Sequence, residues 1–289
     1  MRQAMATLLA ILGLAPAVAE QRGGPGDVAE LLARVGARVE EYFGHAQSIM
    51  YEETIVLQPL GPDLSWNGSH ARKLVYELRV VREPTVDGKP PEANEIRRLL
   101  SVDGRPPRPA DESACDVKSV TPEPLAMLLP GQQSDYTFTP AGSRHRRDAA
   151  TAMLDFKSVS SPPVKVTWKT EECAELDVPG RSRGRVWIDA ATGNVLRLDQ
   201  HLLSSFEIPL PRARARGGPL SMVFERADSS VHYRAVEFHD PDETVLLPES
   251  IVSLEIVRVS GRPRLRIFQT FSNYRRFITD GRIVTEPAR

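Results

Sequence analysis

The sequence predicts a mainly β protein: one long curled antiparallel sheet of about a dozen strands, an open or half barrel, with an N-terminal helix and a short second helix on its concave face. Three observations carry this. Apolar residues alternate with period two in many short runs, and Gly, Pro, Asn, Asp and Ser separate those runs. Helical periodicity occurs in one long segment near the N-terminus and one short segment in the middle, without the strand-helix alternation a parallel sheet needs. The clearest run, 184–199, reads as a hairpin: Gly184-Arg185-Val186-Trp187-Ile188-Asp189 and Val195-Leu196-Arg197-Leu198-Asp199 flank Gly193-Asn194, which suit the positive φ of a tight turn. Its two faces differ chemically, and the same pattern on both sides places it in the middle of the sheet.

In chain order, Arg2, an apolar run at 6–14 and Ala17-Val18-Ala19 form a secretory signal over residues 1–19, with the cut expected after Ala19. The run is far shorter than the roughly 20 residues that cross a bilayer. No later segment nears that length without charges, and no cysteine follows the cut to carry a lipid. The expectation is a periplasmic or secreted protein with no transmembrane segment after cleavage, a flexible lead at 20–26, and a single β-rich domain over 27–289. Asp27 and Glu30 then read as a capping box. Val28, Leu31, Leu32, Val35, Val39, Tyr42 and Phe43 follow at helical spacing, with Gly44 as the stop. This apolar face is expected to cover a sheet; a membrane-surface role is disfavoured because Asp27, Glu30, Glu40 and Glu41 would be repelled by anionic lipid.

Strands are expected at 49–57, 74–81, 96–102, 136–139, 153–159 and 164–170, and beyond the hairpin at 220–224, 231–238, 251–259 and 265–271. Asp103-Gly104 and Asp280-Gly281 mark reversals. Thr121 as cap, Pro122 and Pro130 bound a short helix carrying Leu125, Leu128 and Leu129.

Composition narrows the function. Lys+Arg 37 against Asp+Glu 38 leaves a net charge of −1, without the concentrated basic face that a nucleic-acid binder needs. The basic clusters at 144–147 and at Arg212, Arg214 and Arg216 read as solvated loop charge, with anionic lipid headgroups as the alternative. Cys115 and Cys173 are the two cysteines. In an exported chain they are expected as a disulfide, restricting the unfolded state by roughly 4 kcal/mol; their spacing suits neither a redox pair nor zinc. The six histidines, His45, His70, His145, His201, His232 and His239, lie in different segments without a ligand-pair motif. Nucleophile-elbow, P-loop and dinucleotide motifs are missing, so no cofactor, metal or enzymatic activity is expected. Glu52-Glu53 would point to opposite faces of a strand, and Glu171-Glu172 to opposite faces or into a turn, so neither forms an acid-base pair.

Trp187, Trp168, Tyr42, Phe43 and Phe271 are expected on the inside of the curled sheet, as a filled core or as the wall of a cavity for an apolar ligand. The candidate ligand-binding residues are Leu32, Val35, Val39, Tyr42, Phe43 and Trp187, with Arg275 and Arg276 at the mouth. Alternation sends those two arginines to opposite faces. The inward one must meet a carboxylate or carbonyls, either locking the last strand or anchoring a headgroup.

Three stretches together resemble a group of exported, functionally uncharacterised bacterial proteins: the opening helix with Ile49-Met50-Tyr51-Glu52-Glu53, the 184–197 hairpin, and Phe271-Ser272-Asn273-Tyr274-Arg275-Arg276-Phe277. More distantly, a leading helix followed by a long antiparallel sheet is similar to the periplasmic lipoprotein-carrier (LolA/LolB-like) fold. That resemblance implies an unclosed barrel whose hydrophobic concave face is plugged by helices. It points first to a non-enzymatic periplasmic protein holding a lipid or the acyl groups of a lipoprotein. The alternative is an envelope interaction or sensor module that uses a sheet edge or the loop 209–218, and a hydrolase would need a site assembled by folding alone.

Overall fold

Alternating burial along strand after strand gives the sheet one dry face and one wet face. The computed structural model describes residues 25–46, 49–82, 93–111, 123–146, 149–168, 174–178, 180–210, 221–239, 242–258, 264–277 and 283–285. Helix α1 spans Pro25–Ala46. The strands are β1 (Ile49–Leu60), β2 (Arg72–Arg82), β3 (Ala93–Val102), β4 (Tyr136–Arg146), β5 (Ala149–Ser158), β6 (Lys165–Trp168), β7 (Ala174–Asp177), β8 (Ser182–Asp189), β9 (Val195–Leu202), β10 (Phe206–Pro209), β11 (Ser221–Phe238), β12 (Glu243–Arg258), β13 (Arg264–Phe277) and β14 (Ile283–Thr285). Twelve of these form one open antiparallel sheet in the order β3-β2-β1-β13-β12-β11-β9-β8-β5-β4, with β10 added to β11 and β14 to β13. β6 and β7 pair separately.

One apolar cluster joins α1 to strands from β2 at one side to β5 at the other. At about 4.8 Å per strand, those strands would span roughly 34 Å if the sheet were flat, about three helix diameters. A single helix therefore reaches both sides only if the sheet curls around it. Val35, Val39 and Tyr42 on α1 meet Leu78, Phe156, Ile188, Val195, Phe238, Leu247 and Tyr274 in that cluster. The helix is further held by Arg34, which donates to the Ala190 carbonyl at 3.3 Å, and by Arg38, which donates to Thr192 at 3.2 Å. Both carbonyls belong to the turn between β8 and β9.

Several expectations need correcting. α1 begins at Pro25, so Asp27 lies in its first turn and does not cap it; the lead at 20–26 loses its last two residues to the helix. Gly44 does not stop the helix, which continues to Ala46. Its cost of about 1 kcal/mol is offset by the packing of Tyr42 and Phe43 and by His45, whose Nδ1 lies 2.8 Å from Glu243. The second helix is a 3-10 helix over Glu123–Leu128; Leu125, Met127 and Leu128 are buried against α1, and Thr121 and Pro122 lie outside the described residues. The hairpin strands are interior, but they stand seventh and eighth along the ten-strand path, and β13-β12-β11 hold the middle. The segments at 220–224 and 231–238 are one strand, β11, which bridges the polar stretch between them through register shifts at 224/226 and 232/233. Trp187 is not inside: Val186 and Ile188, both fully buried, take the inward positions and send it to the convex face. The signal at 1–19, both cysteines and residues 211–218 of the basic loop lie outside the described residues.

Below the α1 cluster is a smaller one of Ile55, Leu74, Tyr76, Val102 and Ile267. Between the two, Glu53 and Gln269 are fully buried. Gln269 donates to Glu53 Oε1 at 2.7 Å, and Arg97 Nε to Oε2 at 3.1 Å. Glu52, on the other face, accepts from Asn273 at 2.8 Å.

Candidate functional site

Inward side chains at successive levels of the sheet decide where it is filled and where it is hollow. At one level Val186, Leu198, Val231 and Ile251 are cross-strand neighbours, all fully buried. One level further from α1, the inward positions are Gly184, Gln200, Ser229 and Ser253, followed by Ile267 on β13. The step from Val231 and Ile251 to Ser229 and Ser253 removes volume from one band of the concave face. A cavity of about 520 Å³ lies there, at the strand ends opposite those covered by α1.

Aromatic residues wall it. Phe206 on β10 and Phe224 on β11 are cross-strand partners with ring centroids 5.1 Å apart and planes 1° from parallel. Tyr136, at the start of β4, meets Phe156 edge-on with centroids 6.1 Å apart, and Pro124 of the 3-10 helix completes that side. Polar side chains share the lining: Arg181, Ser182, Gln200, His201, Asp228, Ser229, Ser253 and Glu255. Ser158 donates to the Ser182 carbonyl at 3.0 Å and accepts from its N–H at 3.1 Å, tying β5 to β8. Ser253 is 7% exposed and its hydroxyl has no partner among the described residues. Arg181 lies 5.7 Å over the Phe206 ring; its Nη2 donates to Pro162 at 3.4 Å, and its buried Nε has no partner among the described residues.

The residues anticipated as ligand contacts lie elsewhere. Val35, Val39 and Tyr42 are buried in the α1 cluster, and Leu32 and Phe43 pack against it half-buried. None of them lines the cavity. Trp187 sits between two guanidinium groups, Arg197 at 4.6 Å and Arg185 at 5.9 Å from its ring. Asp199 and Asp155 hold those arginines, with N–O distances of 2.6–3.0 Å. Arg275 and Arg276 do diverge. Arg275 meets Glu77 at 2.9 Å, and Arg276 meets Glu243, which also receives His45 at the end of α1. The inward arginine thus sits in an ion-paired cluster that fastens β13 to β12 and to the helix. Above it, burial and the neighbouring Tyr42 push the Tyr233 phenol far above its usual range, so it stays neutral under α1.

One histidine-carboxylate pair, His201 with Asp228 at 3.0 Å, stands in the cavity wall. His45, His70, His201 and His239 each meet carboxylates on separate elements: Glu243, Asp103, Asp228 and Asp242. Asp228 is also held by Arg226. No group of three or more His, Cys, Asp and Glu converges on one point among the described residues, and no described helix is long and apolar enough to cross a membrane. Pattern reading missed the cavity because its signal is the smallness of Ser229 and Ser253, which shows only once the strand register aligns them.

No family model matches the chain, and no curated protein matches it. The expected likeness to the carrier fold is found among solved structures. A LolA superfamily protein from Nitrosomonas europaea is similar at 8% identity and a TM-score of 0.35, covering 84% of this chain and 92% of that one. A DUF1329 family protein from Desulfovibrio piger shares 10% identity at a TM-score of 0.42, covering 88% and 94%. A domain assigned to outer membrane lipoprotein sorting from Vibrio parahaemolyticus shares 10% at a TM-score of 0.41, covering 86% and 92%. With scores this low, the similarity is one of general layout, and the fold described above stands on its own strand pairing.

Proposed function

We propose that this is a non-enzymatic, exported binding protein that holds an apolar ligand, a lipid or the acyl groups of a lipoprotein, in the concavity of its sheet. The cavity carries this reading: about 520 Å³ of space walled by Phe206, Phe224, Tyr136, Leu202 and Ile267, within the range of small-molecule sites. The seat is the hollow band at the far strand ends, because the α1 face is occupied by the protein's own side chains. Burial of an acyl chain against these rings would be driven by roughly 25 cal/mol per Å² of apolar surface removed from water.

The test uses the delipidated chain after Ala19 and the neutral fluorescent probe N-phenylnaphthylamine. Bound probe should brighten, and Ser229→Phe, which fills the cavity from its floor, should abolish the signal while the circular dichroism spectrum is retained. Absence of brightening, or brightening untouched by Ser229→Phe, would sink the reading. A second reading, docking of an envelope protein, draws support from β3: among the described residues it is paired on one side, and Ile96 is 56% exposed on it. Ile96→Lys should then remove a stoichiometric partner from envelope pull-downs, and unchanged recovery counts against docking there.

A further inference from the structure

Two side chains of the cavity wall, Arg181 and Ser253, carry buried donor atoms with no hydrogen-bond partner among the described residues, and both bear on the chemistry of the ligand's head. Arg181 enters β8 from the loop after Gly180, and among the described residues no carboxylate lies within ion-pair distance of its guanidinium. Its one hydrogen bond is long, its Nε is buried without a partner, and its plane lies over Phe206, the aromatic that floors the same cavity. Ser253 supplies the second donor: its hydroxyl is unpartnered in a side chain more than nine-tenths buried. Two carboxylates share the cavity wall: Asp228, which is held by Arg226 and His201, and Glu255, which is exposed. Buried donors left without acceptors are costly, and a guanidinium gains most from an anionic oxygen.

We infer that the cavity selects an anionic amphiphile, with a carboxylate or phosphate head against Arg181 and Ser253 and an apolar tail along Phe206, Phe224 and Ile267. The inference rests on the apolar-ligand reading above and sharpens it: a neutral lipid fills the same space and leaves both donors unsatisfied. Arg181 is the stronger determinant, since its guanidinium can meet two oxygens at once. Ser253 adds a single neutral donor.

Titration calorimetry of the delipidated chain, below micellar concentrations, separates the possibilities with four ligands: oleate, oleyl alcohol, lysophosphatidylglycerol and inorganic phosphate. Oleate or lysophosphatidylglycerol should bind at least about tenfold more tightly than oleyl alcohol, the worth of one charge-assisted hydrogen bond. Whichever of the two binds tighter identifies the head as carboxylate or phosphate. Arg181→Met should bring the ratio of anionic to neutral affinity close to one, Arg181→Lys should keep part of it, and Ser253→Ala should reduce it less than Arg181→Met. Melting curves confirm that each variant is folded. Equal affinities for oleate and oleyl alcohol in the unaltered protein, or a ratio that survives Arg181→Met, overturn the inference and leave the apolar reading intact. Inorganic phosphate binding as tightly as lysophosphatidylglycerol overturns it as well, because the tail would then contribute nothing. If none of the three lipids binds, both readings fall.

Discussion

A methyl group on Gly184 would stand 1.9 Å from the Asp199 carbonyl oxygen and 2.8 Å from the Phe156 ring. Backbone cannot yield as a flexible side chain can, so β8 and β9 approach this closely only because the residue is glycine. Gly184→Ala should destabilise the protein by about 1–3 kcal/mol, read in a denaturant melt. A different residue-scale test concerns Glu53. Removing Arg97 takes away the cation beside the fully buried carboxylate and leaves it the neutral Gln269 amide, so Arg97→Met should cost about 3 kcal/mol. Adding Glu53→Gln should recover part of that loss, and a double variant no more stable than the single one would refute the account. Asp189 offers a pH test. The Thr192 N–H, joined by that of Ala191, holds its carboxyl below the usual 3.8. A depressed folded value means the stabilisation is present above the unfolded pKa and disappears as pH falls through the folded one. Asp189→Ala should therefore melt lower than the unaltered protein at neutral pH, and the gap should close below pH 3.8. Such residues were partly legible. Glu52 and Glu53 diverge as strand alternation requires, whereas the partners Arg97 and Gln269 come from β3 and β13 and only register reveals them.

Helix α1 shows how an element can be legible in pattern and still surprise at its ends. Its apolar stripe follows directly from 3.6-residue spacing, and its inward face is the one anticipated. Its boundaries moved because Pro25 serves as a helical starter and because tertiary contacts at Tyr42, Phe43 and His45 carry the chain past Gly44. The strands behave similarly. β11 runs through 225–230, a stretch with polar residues that reads as a break, because bulges let a strand absorb irregular positions while both neighbours hold it. β7 and β10, four residues each, are too short for periodicity to register. At this scale the docking of α1 predicts a clear asymmetry. Val35→Asp places an unpaired carboxylate in the cluster and should cost several kcal/mol, enough to abolish a cooperative melt. Arg38→Ala loses two exposed contacts, the 3.2 Å bond to Thr192 and the 2.6 Å ion pair with Glu41, and should change stability by less than about 1 kcal/mol. Equal effects from the two would mean the helix is held by its arginines and not by its buried face.

Across the whole molecule, the sheet is filled under α1 and hollow at the opposite strand ends, and the fully buried Glu53 and Gln269 separate its two apolar clusters. The pairing of β1 with β13 spans the chain, with Gln269 bonded to a residue 216 positions earlier. That seam governs how the protein is made. Until the last strands have been synthesised, β1, β2 and β3 are an orphan meander with an open edge at β1, and the other strands present a matching edge at β12. Contacts this distant in sequence are slow to form, so the chain should remain unfinished throughout elongation and for some time after release from the ribosome. Under the export proposed above, this delay would keep the chain translocation-competent until both halves arrive on the far side. During that interval the exposed edges invite pairing with other copies, so chains truncated before 264 should aggregate where the complete chain does not.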